Sequence, residues 1–267
     1  MQIRLAVLLM ICYNRIMKIS RETSEIFYKQ LRLDCNMEES EEIKKGRVYL
    51  SPSKVLRGGR VCEDTDMFFR AILFMGKAYL MADPIIYAGC REVFKDVEPE
   101  WFCKFPNLRI LDHILMEYGR EIADTHIYFL PDEDAPKIDE TNPVRWFDRD
   151  EIAGMKESNP FHNALAYSRT QPDVIAVAAM KGEKMKGMAG ASLDGAYVRQ
   201  IGIDVLPEFR GEGLATYLTT LLKQKIRKDE LLPFYGTSES HGISRSVAIH
   251  SGFLPAWTEI YVKKSKV

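Results

Sequence analysis

The chain has 267 residues, long for one domain and comfortable for two, with 37 basic and 38 acidic side chains and a formal net charge of −1. That balance argues against a generic nucleic-acid binder, which carries a basic excess or a concentrated basic face. Five scattered cysteines (Cys12, Cys35, Cys62, Cys90 and Cys103) and five dispersed histidines show neither CxxC nor HExxH spacing, so no metal is expected and the chain reads as reduced and cytoplasmic.

The first segment, MQIRLAVLLMICYNR, holds an apolar run of nine residues from Leu5 to Tyr13. A bilayer span needs roughly 20 residues, and no small-residue cleavage site follows the run. Residues 1–16 therefore read as a buried helix or a mis-called start ahead of Met17, not as an export signal, and no membrane partner is expected. Residues 20–45 are charged and helix-compatible; Lys44, Lys45, Arg47, Lys54, Arg57 and Arg60 form a basic patch best read as a solvated loop or helix face.

Residues 68–87 predict a hairpin, with Gly76-Lys77 as its turn and Pro84 closing the second strand. Helical spacing of Leu108, Leu111, Ile114, Leu115 and Tyr118 predicts helix between Val93 and Ile122, with Gly119 as its stop. THIYFL (125–130) predicts a short strand. It runs into PDEDAPKIDETNP, a proline-rich acidic stretch without hydrophobic period that reads as a linker. Two domains follow from this, an α+β unit over 1–138 and a second over 139–267.

In the second unit VRWFD is a strand or a short helix entry, and NPFHNALAY is expected to be helical. Strand-like runs at Val174–Met180, Met185–Ser192 and Tyr197–Leu206 are separated by the turn signals Lys181-Gly182 and Asp194-Gly195. Connections so short require antiparallel neighbours. Leu214, Tyr217, Leu218, Leu221, Leu222 and Ile226 then share one helix face. PFYGTSE is a strand, ISRSVAIHSGF a helix stopped at Gly252, and PAWTEIYVKK a last strand, giving the order β-β-β-α-β-α-β.

The chemistry is concentrated at Arg210-Gly211-Glu212-Gly213-Leu214-Ala215-Thr216, where the third strand turns into the amphipathic helix. The first amides of a helix lack intrahelical partners and, with the macrodipole, favour an anion. Two glycines allow positive φ and close approach of phosphate oxygens, and Arg210 adds a charged fork. The segment is neither GxxxxGK[ST] nor GxGxxG, and a plain helix-capping turn is the alternative.

IGIDVLPEFRGEGLA resembles the Arg/Gln-x-x-Gly-x-Gly/Ala signature of the GNAT superfamily of N-acetyltransferases, with Arg210, Gly213 and Ala215 in the signature positions. SRSVAIHSGF is similar to the family helix that ends in Gly-Phe, here Gly252-Phe253, and the resemblance covers about residues 142–267. It implies a mixed, mostly antiparallel sheet flanked by helices and acetyl-CoA as cosubstrate, with its pyrophosphate on the amides of 211–216. It also implies a pantetheine arm paired along Ile203, Asp204 and Val205, and the Val205 amide as oxyanion donor. The partners so implied are acetyl-CoA and a small-molecule primary amine, acetylated by direct attack in a ternary complex, with a homodimer left open.

The sequence departs from the family where the acid for the leaving thiolate usually stands: counting back from Gly252, the tyrosine position is Ala248. His241 replaces a frequent asparagine, while Ser244 and Val247 fit a common variant. His241 and Glu239 are the foremost replacements, with Tyr235 and Tyr261 behind them, and Asp204 faces either the acceptor or a neighbouring helix. Because of Ala248, a non-catalytic acyl-CoA-binding sensor or partner module stands as the alternative to an enzyme.

Overall fold

The computed structural model describes residues 19–37, 48–61 and 67–265. The segment 1–16, Cys62 and the basic residues Lys44, Lys45 and Arg47 lie outside them. Helix α1 (Arg21–Asp34) is started by the Ser20 side chain, which accepts from the Thr23 amide, and it buries Phe27 and Leu31. After β1 (Val48–Pro52), the hairpin forms as expected: β2 (Phe69–Phe74) and β3 (Lys77–Ala82) pair antiparallel around Gly76, which has φ +70°.

Pro84 does more than close β3. It is the first residue of α2 (Pro84–Phe94), capped by Asp83, where its missing N–H costs nothing. The single helix expected between Val93 and Ile122 is divided by prolines. Pro99 opens a 3₁₀ turn, and α3 (Phe105–Met116) starts with Pro106 in its first turn and stops before Gly119 at φ +65°.

Strand β4 (Arg120–Pro131) is twice the length of the expected THIYFL strand. The acidic stretch that follows is irregular, but it is no free linker: Gln224, on a later helix, accepts from the Ile138 amide and donates to its carbonyl.

VRWFD is β5 (Val144–Asp148), and Asp148 caps α4 (Arg149–Gly154) in a reciprocal capping box with Glu151. The helix expected at NPFHNALAY is absent; residues 155–172 are turns and irregular backbone that bury Phe161, Ala164 and Leu165. The reason lies beneath them. A Cβ on Gly190 would stand 2.3 Å from the Ala164 carbonyl oxygen, and one on Gly202 would stand 2.1 Å from that of Asn163. The segment lies flat on a glycine-paved patch of sheet, closer than a helix could approach.

Strands β6 (Asp173–Lys181), β7 (Lys184–Ser192) and β8 (Val198–Val205) form the expected antiparallel meander. Helix α5 (Leu214–Lys228), β9 (Leu232–Ser238), α6 (Gly242–His250) and β10 (Phe253–Lys264) complete the chain. Burying Leu218 and Leu222 of α5 contributes about 1.5–3 kcal/mol each.

Among the described residues, ten strands form one mixed, mostly antiparallel sheet in the order β1-β3-β2-β10-β4-β9-β8-β7-β6-β5, with helices on both faces. Register gives the layers: Thr258 of β10 pairs with Leu73 and Ile127, so the apolar clusters under α2–α3 and under α5–α6 share one face. The clusters under α1 and under α4 with residues 155–167 cover the other. The boundary placed near residue 138 divides the sequence but not this sheet, because β4 is bonded on both sides by strands of the second half.

Candidate functional site

Strands β8 and β9 run parallel only from Val198↔Leu232 to Ile201↔Tyr235. Beyond that rung β8 continues to Val205 along β7, while β9 continues to Ser238 along β4. A wedge therefore opens in the middle of the sheet between Gly202–Val205 and residues 236–238.

The direction of the backbone groups along this edge follows from one bond. The Leu206 amide donates to the Lys186 carbonyl at 3.0 Å, and Gly187↔Val205 is the last rung of the β7–β8 register. Hydrogen-bonded pairs alternate along an antiparallel ladder. Gly202 and Asp204 therefore bond β7, whereas the N–H and C=O groups of Ile203 and Val205 point into the wedge. These are the main-chain groups of an unpaired strand edge, ready for an extended ligand.

At the mouth of the wedge Pro207–Phe209 form a 3₁₀ turn, and Gly211 (φ +83°) and Gly213 (φ +76°) take left-handed backbone. A Cβ on either glycine would meet nothing within 4 Å, so the requirement is for the dihedral and not for room. Gly213 caps α5 with no side-chain acceptor, and the first backbone bond inside α5 runs from the Tyr217 amide to the Gly213 carbonyl. The amides from Gly213 to Thr216 thus face an exposed turn at the positive end of the macrodipole, whose far end carries Lys225, Arg227 and Lys228.

Charged side chains surround the turn. Arg210 reaches back so that Nε donates to the Val205 carbonyl at 3.1 Å. Lys186 Nζ lies 2.5 Å from a Glu212 carboxylate oxygen and 5.0 Å from the centre of the Phe209 ring. Sequence reading did not single out Lys186, which lies two strands' width from the glycines by chain position and has no local signature. Outside the turn, Gly213, Thr216 and Tyr217 of α5 face Ile249, Ser251 and Gly252 at the end of α6 across a cleft of about 930 Å³, walled by residues 132–138.

Asp204 lies on the face opposite α5, its carboxylate held by the Asn163 amide at 2.5 Å and by Asn163 Nδ2 at 2.7 Å. Its partner is thus a loop, not a helix. On the α5–α6 face, Tyr235 is 3% exposed and its hydroxyl stands 2.9 Å from Ser244 Oγ in the first turn of α6. Burial pushes the Tyr235 phenol up, the Ser244 bond opposes this, and the Asp204 carboxylate adds to it. Ala248, one helical turn beyond Ser244, is fully buried in the same apolar cluster as Tyr235.

His241 and Glu239 are not gathered with these residues. Both are exposed beyond the end of β9: His241 caps α6 with its backbone, and the Glu239 carbonyl accepts from Arg245. Burial first, and the Glu239 carboxylate second, push the Cys103 thiol up to about 11. Tyr261 lies on the α1 face with its hydroxyl against that of Tyr128, away from the Tyr235 side of the wedge.

Among the described residues no group of three or more His, Cys, Asp or Glu side chains is placed to hold a metal ion. No described helix is long and apolar enough to cross a membrane.

The chain is similar in fold to acetyltransferases of the GNAT family. A GNAT-family acetyltransferase structure from Novosphingobium aromaticivorans is 17% identical at TM-score 0.42, over 55% of this chain and 69% of that one. A GCN5-related N-acetyltransferase from Kribbella flavida is 16% identical at TM-score 0.44, over 59% and 64%. A GCN5-related N-acetyltransferase-like protein from Streptococcus suis is 12% identical at TM-score 0.43, over 78% and 89%. These are partial likenesses between distant chains. No family model and no curated protein matches the sequence.

Proposed function

We propose that the protein is an acetyl-CoA-dependent N-acetyltransferase acting on a primary amine of a small molecule. One observation carries the reading: the wedge between β8 and β9, edged by the main-chain groups of Ile203 and the amide of Val205, opens onto the amides of a left-handed glycine turn. A strand edge leading into an anion site matches a ligand with a peptide-like arm and a pyrophosphate. The Gly211–Thr216 amides and Arg210 would take the pyrophosphate, with Glu212 and Leu214 contributing backbone. The cleft beyond α5 would receive the nucleotide end.

On this reading the thioester carbonyl lies at the Val205 amide, which donates to the oxygen as it becomes an oxyanion. Removal of one such donor typically costs about 10²–10³ in rate. The neutral amine arrives from the opposite face, where Asp204, fixed by Asn163, presents an anion to attract an ammonium group and take its proton.

The second reading, a non-catalytic acyl-CoA-binding module, is favoured by the buried Ala248 at the usual acid position. Calorimetry with acetyl-CoA, followed by thiol release over a panel of amines, separates the two. Binding with turnover supports the enzyme, and binding without turnover on any amine supports the module. Arg210→Ala combined with Gly213→Asp abolishes binding under both; unchanged affinity removes the CoA assignment.

A further inference from the structure

The wedge has an acidic hydrogen where α6 has none to offer. Tyr235 is the last β9 residue paired with β8, and its partner Ile201 lies on the α5 face with Ile203 and Val205. Its ring is held between Phe129 and Phe253, at 6.5 Å and 6.2 Å, and it packs in one cluster with Ala248. The hydroxyl lies between Ser244 at 2.9 Å and the field of Asp204 from across the wedge. Tyr217, the other phenol packed in this cluster, accepts from the Asn142 amide, and His241 and Glu239 are exposed beyond the end of β9.

We propose that Tyr235 donates the proton to the departing thiolate, and that Ser244 is the positioning residue that aims its hydroxyl. This rests on the acetyl-transfer reading above. The amine nitrogen bonds to the thioester carbon, and the carbonyl electron pair moves to oxygen at the Val205 amide. On collapse the C–S bond breaks with its electron pair on sulfur, and sulfur takes the Tyr235 proton. The acylated nitrogen sheds one proton to solvent, and the phenolate regains one from solvent, so free thiol and amide form with no net proton change. A buried phenol that resists ionisation keeps its proton and stays neutral around pH 7, so it enters the step as a donor and not a base.

The test uses the full chain, acetyl-CoA and hydroxylamine, a small nucleophile that reports thioester cleavage without the natural acceptor. Tyr235→Phe keeps the ring and its packing. We expect its kcat for thiol release to fall at least about tenfold, within the range of general-acid effects. CoA affinity should stay within about twofold, and the solvent isotope effect of the wild type should be lost. Ser244→Ala gives a smaller fall in kcat at unchanged KM for acetyl-CoA, and Ser244→Thr restores it; these two carry the test should Tyr235→Phe fail to fold. Thiol release by Tyr235→Phe at the wild-type rate overturns the proposal and leaves the acetyl-transfer reading standing. Wild-type protein that binds acetyl-CoA but releases no thiol with hydroxylamine or with any amine of the panel overturns the proposal in favour of the binding module, and wild-type protein that does not bind CoA overturns both.

Discussion

Arg60 and Glu259, separated by 199 positions in sequence, meet at 3.1 Å with both side chains buried. Asp34 and Arg70 complete the group, so two cations and two anions balance in the core, and Arg60 lies over the rings of Phe234 and Trp257. Arg60 had the look of a solvated basic residue; it is instead the tie between the loop after β1 and the last strand.

Glu259→Gln should therefore destabilise the whole protein by about 3–5 kcal/mol, because it leaves buried cations without a counter-charge. Urea denaturation followed by fluorescence and by circular dichroism should give one coincident transition, shifted to lower urea. Two separate transitions would mean that the halves fold independently despite the shared sheet.

Burial pushes the Asp194 carboxyl up to about 6 against bonds from the Gln200 amide and Ser192. Between the ordinary value near 3.8 and about 6 the folded state holds a proton that the unfolded state has lost. The Asp194 contribution to stability therefore falls as pH rises through that window, by up to about 3 kcal/mol. Asp194→Asn keeps an acceptor oxygen and should lose this pH dependence. Denaturation of both proteins at pH 4.5 and 7.5 checks the sign: the variant gains relative to wild type at the higher pH.

Gly202→Ala places a methyl 2.1 Å from the Asn163 carbonyl oxygen, so the loop that holds Asp204 must lift. Overpacking of this kind costs about 1–3 kcal/mol. The thermal midpoint should drop, and turnover should drop beyond what CoA affinity explains. Gly213→Ala should also lose about 1–2 kcal/mol, from its left-handed backbone, but its functional loss should fall on CoA affinity.

The Lys186–Glu212 pair sits on the turn that the pyrophosphate would occupy. Glu212→Gln removes an anion from that turn and should tighten CoA binding, while Lys186→Met should weaken it. Calorimetry over a salt series reads both, with the two effects shrinking as salt rises.

Local features of the site were legible in the sequence, because they are written in consecutive residues. Left-handed turns at Gly211 and Gly213, the apolar stripe of α5 and the meander of β6–β8 each need only their neighbours. What escaped was long-range. Nothing near THIYFL announces that β4 will lie between β9 and β10, and nothing near Arg60 announces Glu259. NPFHNALAY has helical composition, but Gly190 and Gly202, 26 and 39 positions beyond the residues they meet, flatten it. His241 and Glu239 have the right chemistry for a catalytic acid, and the end of β9 carries them past the wedge. Tyr235 stood behind them in the sequence and is buried, bonded to Ser244, in the cluster against which Ile203 and Val205 pack.

The central claim is that one strand edge and one glycine turn together receive CoA. Amide-resolved NMR of the full chain, titrated with CoA, tests it most directly. The account predicts that the Ile203 and Val205 amides and those from Gly211 to Thr216 shift together, at one common affinity. CoA that binds while these amides stay unmoved would contradict it.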